Sequence, residues 1–248
     1  MTKYFEKEYE LRYFEMNKFG VASPTTILTL LEETAAEHCL SIGVSLYDLE
    51  KQRIGWVLIS GAIEMIRYPK YKEKITIKTW LSKYSIVKGY RENIIYDEKK
   101  NIIGKAKGLW LFYDITRRRP IPISEVFLNT WSFIDETSVD LNIDEKIVPV
   151  QNELPKVSFN VFKLDIDGNN HVNNIRYLHW LIESLPEELL DNYYLKSING
   201  RFVAEAKYGE KVQVFLKEER TENTFLHSIE SNMNATVCAV ARTVWCKY

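Results

Sequence analysis

The densest cluster of polar side chains in the chain is Asp165-Ile166-Asp167-Gly168-Asn169-Asn170-His171-Val172-Asn173-Asn174. Within it Asp167, Asn169 and His171 alternate. A carboxylate can orient, a carboxamide can donate a hydrogen bond, and an imidazole can carry a proton near neutral pH. The run leads into the apolar stripe Val172, Ile175, Leu178, Ile182 and Leu185, whose spacing predicts a helix over about 171–185, stopped by Pro186. The cluster therefore stands where unpaired backbone N–H groups and a positive dipole end can hold an anion, including the oxyanion formed when a carbonyl is attacked. Together these groups suffice to build a hydrolytic site around water. The same residue types also suit an ordinary turn and N-cap, so a bare helix start stays open as a second reading.

A metal is not expected. In an EF-hand reading of Asp165-x-Asp167-x-Asn169, Gly168 falls between the second and third ligands and Arg176 occupies the twelfth position. The remaining histidines, His38, His179 and His227, have no zinc-ligand spacing. His38 is expected to pack or hydrogen-bond on the first helix. No glycine loop that could cradle a nucleotide is present, so no cofactor is indicated.

The elements that must position the cluster are mostly strands. Gly55–Ser60, Lys74–Trp80, Lys105–Tyr113 and Lys211–Leu216 are rich in β-branched and aromatic residues, and Lys74–Trp80 alternates as a sheet with one wet face would. A second helix is predicted over about Pro24–Ile42. Leu28, Leu31, Ala35, Cys39 and Ile42 form its stripe, Ser23 the N-cap, Pro24 the first turn and Gly43 the stop. The halves repeat: Glu73–Ile77 matches Glu210–Val214 at an offset of 137, and Ala106–Trp110 matches Ala241–Trp245 at 135. Each half then reads as a helix on a mostly antiparallel sheet, an α+β architecture. The acidic stretch 134–154 separates them as a surface connector, giving domains 1–133 and 155–248.

The chain has 248 residues, 46% hydrophobic, with 33 Lys+Arg against 34 Asp+Glu, a composition that excludes wholesale disorder. A net charge of −1 supplies no field to hold a nucleic acid. Cys39, Cys238 and Cys246 are neither a disulfide framework nor a Cys-x-x-Cys pattern. Residues 1–10 contain no apolar stretch, and no apolar run reaches the roughly 18 residues that span a bilayer. A cytoplasmic protein without a membrane span is expected.

Asp167-x-Asn169-x-His171-Val-Asn-Asn-x-x-Tyr177-x-x-Trp180, with Glu183 and Pro186, closely resembles the signature of the acyl-acyl-carrier-protein (acyl-ACP) thioesterases of plant plastids and bacteria. Glu32–His38, Gly55–Leu58, Arg67-Tyr-Pro69, Thr79-Trp80 and Trp110 through Arg117–Arg119 and Ile121-Pro122 resemble that family's first half. The resemblance implies a tandem double hotdog, each half a long helix wrapped by an antiparallel sheet. It implies hydrolysis of the fatty acyl thioester on the carrier's phosphopantetheine, a step of fatty acid metabolism, with the acyl carrier protein as partner. It places the catalytic residues at Asp167, Asn169, His171 and Glu205, the last in Arg201-Phe-Val-Ala-Glu205-Ala206-Lys-Tyr208. Ala206 stands where the plant enzymes carry cysteine, so no thiolate can act there, and the three cysteines are expected to be small buried hydrophobes. Water would then attack directly, activated by Glu205, His171 or both. Asp167 would orient Asn169 or His171, Asn169 would hold the water or the carbonyl, and N–H groups near Val172 and Asn173 would meet the oxyanion. The first half, beginning its helix with Val21-Ala-Ser-Pro-Thr-Thr-Ile27, has no acid or imidazole in place and would shape the acyl pocket, with Ile27, Leu31, Thr34 and His38 as lining candidates.

Arg117–Arg119 and Lys70-x-Lys72-x-Lys74 are local basic concentrations that could meet an acidic carrier, against a default of solvated surface. The rival readings are an acyl-coenzyme A thioesterase of the same fold, a non-catalytic acyl-binding regulator, and a dehydratase or hydratase. Two fused halves already form a pseudo-dimer, which leaves a homodimer open without requiring one.

Overall fold

The computed structural model describes residues 4–138, 140, 142–168, 171–233 and 235–248, and divides into two compact units, Met1–Leu141 and Asn142–Tyr248. The first contains β1 (Phe5–Glu10), α1 (Pro24–Ser41), α2 (Leu46–Lys51), β2 (Ile54–Met65), β3 (Lys74–Tyr84), β4 (Lys88–Asp97), β5 (Ile102–Asp114), β6 (Arg119–Pro120) and α3 (Glu125–Thr130). The second contains β7 (Val157–Asn160), α4 (Asn174–Glu183), α5 (Glu187–Asn192), β8 (Tyr193–Phe202), β9 (Lys211–Glu218), β10 (Thr224–Ser231) and β11 (Thr236–Lys247). Strand order is β1-β3-β4-β5-β2 in the first and β7-β9-β10-β11-β8 in the second, every pairing antiparallel. Each unit is thus the same α+β hotdog, and the chain is a tandem of two. No helix among the described residues is long and apolar enough to cross a membrane.

Helix α1 starts where its caps dictate: the Ser23 hydroxyl accepts the Thr26 N–H at 3.0 Å, Pro24 opens the first turn, and Gly43 (φ +81°) follows the end. Its buried face is Ile27, Leu30, Leu31, Thr34, His38 and Cys39, rotated from the expected stripe, since Leu28 and Ala35 are only half-buried. The rotation has a polar cause. Thr34 shares a 2.9 Å hydrogen bond with the Tyr9 hydroxyl of β1, and His38 Nδ1 lies 3.0 Å from Arg91 Nη1 of β4. Burial and the guanidinium depress His38 to about 3, so its neutral ring accepts from Arg91. In the second unit His227 of β10 is likewise buried, 2.8 Å from Thr243 Oγ1.

Strand β3 departs from the expected wet face: Ile75, Thr76, Ile77 and Thr79 are all buried, and the Lys78 ammonium lies 3.5 Å from the Tyr4 ring centroid. Strand β9 does alternate, burying Val212, Val214 and Leu216. The acidic stretch after residue 133 is also more than a surface connector. Within the first unit, the carboxylate of fully buried Glu92 receives the Ser138 N–H at 2.8 Å and the Lys107 ammonium at 3.1 Å, while the Trp80 indole donates to the Glu136 carbonyl. Within the second, Ile143, Ile147 and Val150 are buried and the Val150 N–H donates to Ser228 Oγ.

Candidate active site

The described residues of the polar cluster are tied to one another by their main chain. The Asp167 N–H donates to the His171 carbonyl at 2.8 Å, and the His171 N–H returns to Asp167 Oδ1 at 3.3 Å. Beneath it, Asp165 fixes the base. Its carboxylate accepts the Phe162 N–H and pairs with Arg176 Nε at 3.0 Å, while its carbonyl takes the Asn173 N–H at 2.8 Å. Asn173 then caps α4, its Oδ1 accepting the Ile175 N–H at 2.8 Å. The helix accordingly begins at Asn174, three residues later than the apolar stripe suggested. One expectation is corrected here: the Asn173 N–H is spent on the Asp165 carbonyl and cannot meet an oxyanion.

The structure brings His171 and Glu205 together, with His171 Nε2 3.2 Å from Glu205 Oε1. Side-chain exposures of 18% and 28% leave both reachable from solvent yet largely enclosed. Asp167 holds the main chain of this loop, touching His171 through its backbone. Asn169 lies outside the described residues.

Glu205 arrives on the segment after β8, which is anchored on both sides. The Val203 and Ala204 N–H groups donate to the Cys238 carbonyl, and the Ala206 N–H donates to the Tyr177 hydroxyl at 3.1 Å. Tyr177 stands on the buried face of α4, packed edge-on against Trp180 and Phe202 at centroid distances of 5.3 Å. Burial pushes its phenol well above the ordinary range, so it remains a neutral acceptor for that N–H. Sequence spacing showed Tyr177 in the motif without giving it this task; its place four residues after the cap Asn173 was the available signal.

Ala206 is buried at 1% exposure, with no thiol to offer. Cys238 and Cys39 are buried, and burial pushes the Cys238 thiol up to about 11, which leaves it protonated near neutrality.

The first unit repeats the loop without its chemistry. Bridges Met16–Ala22 and Ile166–Val172 correspond, as do the Asn17 N–H to Val21 carbonyl and Asp167 N–H to His171 carbonyl bonds. Asn17 therefore stands for Asp167, and Val21 for His171. Glu73 and Glu210 receive the Leu11 and Val161 N–H groups, and five residues before each lie Tyr68 and Glu205.

An imidazole–carboxylate pair thus stands just before a helix of a tandem hotdog, beside an alanine that offers no thiol. Comparison with known proteins gives the family. The acyl-ACP thioesterase N-terminal domain matches residues 2–131 and the acyl-ACP thioesterase C-terminal domain matches 151–247. Among relatives, a chloroplastic oleoyl-acyl carrier protein thioesterase of Coriandrum sativum is 26% identical over 257 residues, spanning 96% of this chain and 69% of that one. Oleoyl-acyl carrier protein thioesterase 2 of Arabidopsis thaliana is 24% identical, spanning 98% and 77%. Of solved structures, an acyl-ACP thioesterase from Bacteroides thetaiotaomicron superposes with a TM-score of 0.87 at 22% identity, covering 98% of both chains. The 12:0-ACP thioesterase from Umbellularia californica gives 0.88 at 17%, covering 100% of this chain and 99% of that one, so both share the fold. The chain belongs to the acyl-ACP thioesterase family and is a thioester hydrolase that acts on fatty acyl-ACP.

Proposed function

We propose that the chain releases free fatty acid from acyl-ACP by direct attack of water, with His171 and Glu205 as a joint base. The observation that carries this is the 3.2 Å contact of His171 Nε2 with Glu205 Oε1, next to a position where alanine replaces any thiol. Water adds its oxygen to the thioester carbonyl carbon and gives its proton to the pair. The tetrahedral oxyanion collapses, the C–S bond breaks, and the imidazolium returns the proton to the pantetheine sulfur, leaving fatty acid and the carrier's thiol. Asp167 holds the loop in register, and Asn169 binds the water or the carbonyl.

For the oxyanion the reading keeps the Val172 N–H. Its counterpart Ala22 donates to the Pro69 carbonyl at 2.8 Å, and among the described residues Val172 makes no such bond to Ala206. A preorganised donor of this kind is worth about 10²–10³ in rate.

In this reading residues 155–248 hold the reacting groups, residues 1–133 shape the acyl pocket, and 134–154 link them. The three cysteines, present as free thiols, suit a reducing compartment, the cytoplasm of a bacterium. The test is thiol release from acyl-ACP and acyl-coenzyme A of several chain lengths by wild type, Glu205→Gln and His171→Ala. Each variant should lose at least about a hundredfold in kcat on acyl-ACP while keeping its circular dichroism. Turnover within threefold of wild type would remove that residue from the base, and faster release from acyl-coenzyme A would change the carrier.

A further inference from the structure

The second unit carries exposed apolar side chains on the two segments that frame the His171–Glu205 pair. Phe162 (63% exposed) and Leu164 (88%) immediately precede Asp165. Val203 (59%) and Tyr208 (59%) bracket Glu205. The segments are joined: the Gly209 N–H donates to the Val161 carbonyl at 3.0 Å, and the Lys163 ammonium lies 5.9 Å from the Tyr208 ring centroid. Large apolar groups exposed together, and rimmed by charge, mark interaction surfaces.

The charge of this rim is positive. Lys163 and Lys207 are exposed, and neither forms an ion pair among the described residues. The nearby acids are engaged: Asp165 with Arg176, Glu210 with Ser231 Oγ, and Glu205 with His171. The two basic concentrations visible in the sequence are different. Lys72 and Lys74 face Glu10 and Glu8 across the β1–β3 pairing, and Arg117 faces Asp114. Those three cations are answered by acids within the chain.

We infer that Phe162, Lys163, Leu164, Val203, Lys207 and Tyr208 form the docking surface for the acidic acyl carrier protein, which rests on the function proposed above. Chemistry and charge agree on this occupant. The thioester must reach the Glu205–His171 pair on a tether of fixed length, so the carrier has to dock on the face that opens to that pair, within the tether's reach. An acidic surface finds unpaired lysines there, with apolar side chains between them. The first unit offers an internal control, because exposed Phe14 and Tyr71 occupy the places of Leu164 and Tyr208 with no base beside them.

The experiment is steady-state kinetics of Leu164→Asp, the double variant Lys163→Glu with Lys207→Glu, and the control Phe14→Asp. Each is assayed on acyl-ACP and on the same acyl group carried by pantetheine alone. The docking variants should raise KM for acyl-ACP tenfold or more and leave KM and kcat for acyl-pantetheine within twofold, while Phe14→Asp changes neither. An acyl-ACP KM within twofold of wild type would overturn the surface, as would equal losses on both substrates. So would a change of oligomeric state on sedimentation with acyl-ACP kinetics intact, since the patch would then join copies of the chain. Wild type that cleaves acyl-pantetheine but not acyl-ACP would instead overturn the underlying functional reading.

Discussion

Removing one oxygen atom, by Tyr177→Phe, tests how the proposed base is held in place. The phenol oxygen accepts the Ala206 N–H at 3.1 Å, and Ala206 is 1% exposed, so water cannot replace the lost acceptor. An unsatisfied buried amide costs about 1–3 kcal/mol, while the ring keeps its packing on Trp180 and Phe202. For a chain of this size about 2 kcal/mol corresponds to a fall in Tm of roughly 4–8 °C. The catalytic effect follows from geometry: Glu205 precedes Ala206, and a carboxylate free to drift from 3.2 Å off His171 is a weaker partner for the imidazole. We expect kcat to fall about tenfold with KM unchanged, well short of the loss for Glu205→Gln. Calorimetry and kinetics on an acyl-pantetheine substrate measure both. A Tm within 1 °C of wild type together with unchanged kcat would mean that the Tyr177 hydroxyl neither satisfies the buried amide nor holds Glu205.

Three further outcomes are expected. Cys238→Ala should retain wild-type turnover, and iodoacetamide should not inactivate the folded protein at neutral pH, because the thiol titrates at about 11; inactivation would bring a cysteine back into the mechanism. His227, buried and depressed to about 3, is neutral in the fold while its unfolded form takes up a proton below about pH 6.5. The folded state is therefore undiminished above pH 6.5 and loses about 2 kcal/mol from this group by pH 5, so His227→Gln should flatten the acid limb of a stability–pH curve measured by urea unfolding. Glu92→Ala should cost about 3–5 kcal/mol by stranding Lys107 and freeing the Ser138 N–H. Limited proteolysis should then cut within 134–142 faster than in wild type.

Much of this was legible in the amino-acid order. The two helices announced themselves by caps and punctuation: Ser23, Pro24 and Gly43 for α1, and Pro186 beyond α4. The duplication showed in the matched strand segments, and the cluster from Asp165 to Asn174 marked the candidate site. What sequence could not show is which backbone group spends its hydrogen bond where. The Asn173 N–H looked like an oxyanion donor until the Asp165 carbonyl was found to hold it. Helix α1 faced the sheet with Thr34 and His38 because Tyr9 and Arg91, distant in sequence, supply polar partners inside. Periodicity counts apolar residues and so misplaces a face that buries satisfied polar ones. The partners of the lysine run were hidden for the same reason, since Lys72 and Lys74 reach Glu10 and Glu8 only once β1 pairs with β3.

The duplicated loop separates what folds this protein from what we propose does its chemistry. In both units an acid at the base of the loop, Glu15 or Asp165, takes a backbone N–H three residues before it, and its carbonyl takes the N–H of the helix cap, Ser23 or Asn173. That pattern is required by the fold, since it aims the helix at its sheet whatever the loop contains. The proposed reacting groups occupy other positions, where the two units differ: Val21 in one unit is His171 in the other, and Tyr68 is Glu205. Pro69 against Ala206 completes the contrast. Proline has no N–H, so the first unit needs no acceptor there and has Ile27 where the second has Tyr177. Alanine does have one, and the acceptor that satisfies it also anchors the residue next to Glu205, half of the proposed base. The second unit's requirement to satisfy one buried amide thus couples the packing of α4 to the position of the carboxylate beside it.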